Sequence, residues 1–162
     1  AFAKLDATVA GDRARDLFWS LGMKTSARNA LRGRIAAVTP GAVNTEVALS
    51  LGDGVEIVAI LTRTSVEELA LDVGAAAIAL IQSNDIVLAA GADLRTSARN
   101  QISGRVADRQ DGAVNSEIAV DIGGGKTLIA TVTLTSARTM DLTPGSRITA
   151  LIKAPHVILA VE

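Results

Sequence analysis

The sequence predicts an all-β protein of two small five-stranded OB-like barrels in tandem, preceded by a helical lead-in. Residues 25–90 align with residues 96–161 without a gap, and about 27 of the 66 aligned positions are identical, so the chain contains a duplicated unit. Apolar residues alternate along short stretches, most clearly at residues 43–51, which is typical of strands buried on one face. Each unit has five such stretches and one short helical segment between the third and the fourth, the order of an OB-type barrel.

The elements of the first unit follow in a regular order along the chain. Ser65 and Glu68 have the spacing of a capping box, so a brief helix is predicted to start at Ser65, to end near Leu71 and to be broken by Gly74. The second unit repeats this pattern, and the predicted units are residues 23–91 and 95–162. The strands of the first unit are predicted at residues 34–38, 43–51, 56–62, 76–81 and 86–89.

Residues 1–22 fall outside the repeat and mix apolar residues with charges, which suggests a helical lead-in. One interpretation is a helix that packs on the barrels or on a partner subunit. The other is a linker from a further N-terminal domain.

Composition excludes several classes of function. The net charge of −1 and the lack of a basic block argue against a surface built to neutralise nucleic-acid phosphates. The absence of cysteine excludes disulfides and thiolate metal sites. Since no apolar run reaches membrane-spanning length, a soluble cytoplasmic protein is expected.

Residues suited to catalysis are few, and we predict that the protein is not an enzyme. His156 is the only histidine, and its position between a proline and an apolar run favours a structural or rim role. No segment resembles a nucleophile elbow, and no cluster of metal ligands is present in the sequence. Glu46 and Glu117 occupy matched positions, where a solvated strand face or an ion pair between barrels explains them.

The pentapeptide Thr-Ser-Ala-Arg-Asn occurs twice, at residues 25–29 and 96–100. In extended backbone its serine and arginine lie on one face, and the small alanine lets a backbone amide approach a ligand. A hydroxyl, a guanidinium and an amide directed at one point suit a tetrahedral oxyanion. The alternative is that the arginine and asparagine only staple one end of a barrel.

A second group of donors follows later in each unit. Lys153 is followed by Ala154 and Pro155 at the end of a predicted strand, and Thr133 and Ser136 follow the third strand. The first unit matches these hydroxyls with Thr62 and Ser65. Because acceptor-only side chains are absent from these segments, they favour an anion over a cation.

With these segments identified, the chain resembles the Mop, or molbindin, family of molybdate-binding domains. The residues that carry the resemblance are TSARN, GAVN followed by x-E, and K-A-P in LIKAPHVIL, and they extend over residues 23–162. The resemblance implies OB-like barrels that bind molybdate or tungstate between the barrels of associated subunits, as a homo-oligomer, without metal-cation ligation.

The resemblance also implies which residues bind the oxyanion. In the first unit Gln82 stands where the family has a lysine, so a site that uses this loop is expected to be weaker or structural. His156 stands where related proteins often have tryptophan. The residues predicted to bind the oxyanion are Thr25, Ser26, Ala27, Arg28, Thr62, Ser65, Ser83, Thr96, Ser97, Ala98, Arg99, Thr133, Ser136, Lys153, Ala154 and Pro155.

Two kinds of tandem protein fit this resemblance. The lead-in favours the ligand-sensing region of a ModE-type transcriptional regulator, which would be a dimer and would reach DNA only through a domain outside this sequence. The alternative is a free-standing cytosolic molybdate-storage protein, expected to be a trimer. An OB-type nucleic-acid-binding module is disfavoured because Phe2, Phe18 and Trp19 lie outside the barrels, where they offer no stacking platform.

Overall fold

A computed structural model of the chain describes residues 25–91 and 94–162, and within them the fold is all-β. The predicted lead-in at residues 1–22 lies outside the described residues. The first unit contains β1 (Asn29–Pro40), β2 (Asn44–Gly52), β3 (Val55–Thr62), α1 (Arg63–Glu68), β4 (Ala76–Ile81), a 3-10 turn (Ser83–Asp85) and β5 (Val87–Ala89). The second contains β6 (Asn100–Asp111), β7 (Asn115–Gly123), β8 (Lys126–Thr133), α2 (Leu134–Thr139), β9 (Arg147–Ile152), a 3-10 turn (Ala154–His156) and β10 (Ile158–Ala160). The predicted order, with a short helix between the third and fourth strands of each unit, is confirmed.

The start of the first helix differs from the prediction. Thr62 is the N-cap of α1, and its side-chain oxygen accepts a hydrogen bond from the backbone N–H of Ser65 at 3.1 Å. The predicted start at Ser65 is therefore wrong, because the cap forms at the last residue of β3, where the chain leaves the strand. The helix ends at Glu68 rather than near Leu71.

Each sheet is completed by a strand of the other unit. The first sheet has the order β10-β4-β1-β2-β3, and the second has the order β5-β9-β6-β7-β8. Ile158 of β10 is paired with Leu80 of β4, and Val87 of β5 is paired with Leu151 of β9. The two units thus form two five-stranded half-barrels that exchange their last strands, whereas the repeat pattern predicted that each unit would close its own sheet.

The turn that precedes each exchanged strand lies on the other unit. Ser83, at the start of the first 3-10 turn, accepts a hydrogen bond from Thr131 of β8 at 2.8 Å. Ala154, at the start of the second turn, packs against Ala48 and Val58 of the first unit. These contacts carry the chain across to the neighbouring sheet before its last strand begins.

The buried apolar residues of both sheets form one continuous core. Ile35, Leu49 and Ile57 of the first sheet belong to the same cluster as Ile118 and Leu128 of the second. Because alternate residues of each strand point inward, this core depends on the strand register. The shared core and the strand exchange therefore bury the two units against each other.

Close packing of the first two strands in each unit requires glycine. A Cβ at Gly33 would lie 2.2 Å from the carbonyl oxygen of Ser50, and a Cβ at Gly104 would lie 2.3 Å from that of Asp121. Both distances are far below van der Waals contact, so these matched positions tolerate no side chain.

Among the described residues, none of the helices is long and apolar enough to cross a membrane.

Candidate oxyanion-binding site

The asparagine that ends each pentapeptide is buried and joins the two units. Asn29 Nδ2 donates to the carbonyl of Ile129 at 2.9 Å, and the N–H of Ile129 donates to Asn29 Oδ1 at 2.7 Å. Asn100 makes the matched pair of bonds with Val58, at 2.8 and 2.7 Å. Each carboxamide therefore acts as a one-residue strand against β8 or β3, which lie at the edges of their sheets. For asparagine, the interpretation as a structural staple is correct.

The arginine of each pentapeptide forms an ion pair with the other unit. Arg28 Nη2 lies 2.7 Å from Glu117 Oε1, and Arg99 Nη2 lies 3.1 Å from Glu46 Oε1. The ion pair between barrels that explains both glutamates is thus confirmed. All four side chains remain about half exposed, so these pairs add little to stability, and both guanidinium groups remain accessible to a ligand.

The first group of donors, which we call site I, lies on the outer face of β7 and β8. Glu117 and Thr131 are cross-strand partners there, and the carboxylate holds Arg28 while the hydroxyl donates to Ser83. Thr133 lies two residues beyond Thr131, about 7 Å along the same face. Site I therefore collects Arg28 and Ser83 from the first unit and Thr133 from the second.

The second group, site II, is the matched arrangement on β2 and β3. Glu46 is paired with Ile60 and binds Arg99, while Ala154 packs on the neighbouring pair of Ala48 and Val58. Lys153 precedes Ala154 and is exposed. Successive residue pairs on one face of a sheet lie about 7 Å apart. The turn that follows Lys153 and the side chain of Arg99 therefore contact adjacent pairs of β2 and β3.

Each predicted pair of hydroxyls forms the cap of a short helix. Thr62 donates to Ser65 Oγ at 2.9 Å, and Thr133 donates to Ser136 Oγ at 2.8 Å. Thr62 is the cross-strand partner of Asn44, the next pair on the same face as Glu46 and Ile60, so its cap lies at the end of the site II ladder. All four hydroxyl groups lie on residues that are exposed or partly exposed.

The segment before each asparagine is not part of a strand, since β1 begins at Asn29 and β6 begins at Asn100. The N–H of Ala27 donates to Thr25 Oγ1 at 3.1 Å, and the N–H of Ala98 donates to Thr96 Oγ1 at 2.9 Å. The alanine amides, which were predicted to face a ligand, therefore already have an acceptor within the pentapeptide. The threonine two residues earlier in the chain competes with a ligand for the amide of each alanine. The alternation of side chains did not reveal this local hydrogen bond.

Sites I and II differ in charge and in free donors. Gln82 of site I matches Lys153 of site II, so site II has one more positive charge. Arg28 Nε in site I is buried, and it has no hydrogen-bond partner among the residues that the structure describes. Arg99 Nε in site II donates to Glu46 at 3.2 Å. A buried donor without an acceptor is costly, so Arg28 keeps one unpaired donor where Arg99 has none at the same atom.

Thr131 belongs to site I but is missing from the residues predicted from the sequence. Its matched residue in the first unit is Ile60. A comparison of the two repeats therefore shows a hydroxyl that is present only in the second unit, and this difference could have identified Thr131. Pro155 is exposed in the second 3-10 turn beside His156, whose Nδ1 lies 4.0 Å from Asp85 Oδ1.

Within residues 25–91 and 94–162, no group of three or more His, Cys, Asp or Glu side chains could hold a metal ion.

The strand exchange defines a class of protein, a duplicated OB-like β fold made of two five-stranded half-barrels. The chain belongs to the TOBE domain family, whose model matches residues 25–88 and 96–159.

Relatives share this duplicated region. The molybdenum-pterin-binding protein MopA of Rhodobacter capsulatus is 48% identical over 153 residues, which are 94% of this chain and 58% of MopA. The molybdenum transport protein ModE of Azotobacter vinelandii is 37% identical over 145 residues, 90% of this chain and 54% of ModE. The chain thus spans a little over half the length of these relatives.

A solved structure has the same fold. The cytoplasmic molybdate-binding protein ModG, crystallised with molybdate bound, superposes with a TM-score of 0.82 at 37% sequence identity. The match covers 86% of this chain and 100% of the ModG chain.

Proposed function

We propose that this chain binds molybdate, or the isosteric tungstate, at sites I and II on the seam between its two units. One observation carries the proposal: each pentapeptide arginine lies on the other unit, on the strands that end in a hydroxyl cap and beside the turn that carries Lys153 or Gln82. Support comes from ModG, which binds molybdate and shares the fold over its whole length. Binding, without catalysis, is the proposed activity.

At site I, the dianion would be held by Arg28, by the exposed hydroxyl of Ser26 and by the cap hydroxyls of Thr133 and Ser136. Arg28 Nε supplies a donor that has no other partner among the described residues. Glu117 accepts a hydrogen bond from Nη2, which lies on the same edge of the guanidinium as Nε, and so fixes the orientation of Arg28. Charge-assisted hydrogen bonds to an anion are about twice as strong as neutral ones, so Arg28 dominates this site.

At site II, the corresponding donors are Arg99, Ser97 and the cap hydroxyls of Thr62 and Ser65, with Lys153 in addition. The extra ammonium group makes site II the stronger of the two for a doubly charged anion. Its arginine is held by Glu46 through both Nε and Nη2, so the ligand must take the other edge, formed by Nη1 and the second N–H of Nη2, or displace the carboxylate.

Within a cell, we propose that this binding region is the ligand-sensing part of a molybdate-responsive transcriptional regulator. The ModE relative supports this role, and a DNA-binding domain outside this sequence would deliver the response. The alternative is a free-standing storage protein, favoured by the match to the complete ModG chain. The solution mass separates the two, since a dimer supports the regulator and a trimer supports storage.

The proposal is tested by titrating molybdate into the purified protein by calorimetry, with elemental analysis for molybdenum and tungsten. The combined variant Arg28→Ala, Arg99→Ala and Lys153→Ala is expected to lose saturable binding. Arg32→Ala is the matched control, because Arg32 pairs with Glu162 and belongs to neither site, and it should bind as the wild type does. Unchanged molybdate binding in the triple variant would refute the assignment of both sites.

A further inference from the structure

A second polar surface lies on the outer face of the second sheet, away from sites I and II. A cavity of about 580 Å³ opens there, and two arginine and two hydroxyl side chains line it: Arg105, Arg147, Ser103 and Thr149. Ala89 and Gly91 of the first unit complete its wall. The cavity therefore lies where the exchanged strand β5 joins the second sheet.

The strand register places like charges opposite each other in this cavity. Arg105 and Arg147 are cross-strand partners on β6 and β9, and Ser103 and Thr149 are partners two residues further along the same face. Like charges directly opposite each other destabilise a sheet unless an anion lies between them. Neither arginine forms an ion pair with a residue in the described ranges, and the Arg147 side chain has no hydrogen bond there either.

Asp121 is the one described carboxylate that faces this row from a neighbouring strand. It is the partner of Arg105 on β7, but its Oδ1 accepts a hydrogen bond from the N–H of Gly123 at 2.9 Å, and it forms no ion pair with Arg105 among the described residues. Two guanidinium groups therefore face the cavity without compensation from the described protein residues.

The first unit provides an internal comparison. Arg34 matches Arg105, and both donate to the carbonyl of a glycine, at 2.9 Å to Gly74 and at 3.1 Å to Gly145. This arginine is therefore part of the fold, whereas the position of Arg147 is occupied by Ala76 in the first unit.

The remaining matched positions diverge in the same direction. Ile78 stands in place of Thr149, and Arg32 in place of Ser103. In the first unit Arg32 is neutralised by Glu162, and the matched cavity measures about 130 Å³. The fold thus forms without a second arginine, without the hydroxyl pair and with a much smaller cavity.

We propose that the cavity between Arg105 and Arg147 is a separate binding site for a small molecule that carries a diphosphate or a phosphate ester. Guanidinium groups match phosphate oxygens in bidentate geometry, and the two hydroxyls add donors beside them. The cavity volume lies in the range of small-molecule sites and exceeds what a single tetrahedral oxyanion occupies. The ligand contacts both units, since the first unit supplies one wall.

The test is calorimetric titration of inorganic pyrophosphate into the full chain at constant ionic strength. Arg147→Ala, which installs the residue found in the first unit, is expected to weaken pyrophosphate binding by about ten-fold or more. Arg34→Ala, in the first unit, should leave pyrophosphate binding unchanged. Molybdate binding should be unchanged in Arg147→Ala, which separates this site from sites I and II.

Two further measurements complete the test. Thr149→Ile, which again installs the residue of the first unit, should also weaken pyrophosphate binding. It replaces Arg147→Ala in the test if that variant proves unstable to heating. Orthophosphate should bind more weakly than pyrophosphate, and equal affinities would overturn the assignment to a larger ligand. The absence of saturable pyrophosphate binding in the wild type, or equal binding in wild type and both variants, would overturn the site itself.

Discussion

Arg28 donates from Nη2 to Glu117 of the other unit at 2.7 Å, while its buried Nε has no hydrogen-bond partner among the described residues. One edge of the guanidinium is thus oriented by the protein, and a donor on the same group remains unused. The carboxylate that orients the arginine also places a negative charge beside the proposed anion. A substitution at Glu117 can therefore separate its two effects, the orientation of Arg28 and the repulsion of the anion.

Glu117→Gln is expected to raise the affinity of site I for molybdate by roughly ten-fold. The amide oxygen still accepts from Arg28, but the charge that repels the dianion is removed. Calorimetry at two salt concentrations measures the change, which should shrink at high salt because screening weakens the repulsion. Glu67→Gln, in the exposed helix α1, is the control and should have no effect. Weaker binding in Glu117→Gln would show that the carboxylate charge itself is needed.

The single charge that distinguishes the two sites should be transferable between them. Lys153→Gln is expected to reduce the affinity of site II by about ten-fold, to the level of site I, since a charge-assisted contact is lost. Gln82→Lys should strengthen site I by a similar factor. Native mass spectrometry of molybdate loading follows both sites, and loading unchanged by either variant would contradict their proposed inequality.

Asn100→Ala should reduce the free energy of unfolding by about 2–4 kcal/mol. The change leaves the N–H and C=O of Val58 without their partner, and each buried unsatisfied group costs about 1–3 kcal/mol. Urea denaturation measures the loss. Gln101→Ala is the control, because this neighbouring side chain is exposed and donates only to the carbonyl of Ala98 at 3.3 Å. A loss equal to that of the control would mean that the staple adds nothing.

Asp111 should make the stability of the protein depend on pH at the acidic end. A hydrogen bond from Arg109 and a second one from Ser116 lower the pKa of this carboxyl below its ordinary value. Its stabilising effect is therefore fully present above the unfolded pKa of about 3.9 and is lost as the pH falls towards the lower folded value. Denaturation midpoints of wild type and Asp111→Asn should differ at pH 6, and the difference should shrink as the pH falls below the unfolded pKa. A difference that stays constant would exclude this linkage.

The strands were predictable because alternation and turn residues are local properties of the sequence. The exchange of strands was not, because Val87-Leu88-Ala89 and Ile158-Leu159-Ala160 present the same pattern to a neighbouring sheet. Either strand suits either edge, and the choice depends on the contacts of the preceding turn, such as that between Ser83 and Thr131.

The sequence predicts residue types for the candidate site but not how they are grouped. The repeated pentapeptide predicts arginine and serine as donors, yet the partners of Arg28 and Arg99 depend on which unit their strands face. Asn29 and Asn100 were predicted only as an alternative, since nothing in a sequence reveals that a carboxamide lies against a strand edge. The N–H of Ala27 donates to the side chain of Thr25, a local hydrogen bond that the alternation of side chains did not reveal.

Strand exchange also sets the order in which the chain can complete its fold during synthesis. β10 pairs with β4, although Ile158 is made about 78 residues after its partner Leu80. At roughly 5–20 residues per second, the ribosome leaves the edge of β4 uncovered for about 4–16 seconds. An uncovered strand edge is a template for pairing with another chain. The first half of the nascent chain is therefore the half most exposed to misassembly, until the last strand emerges to cover it.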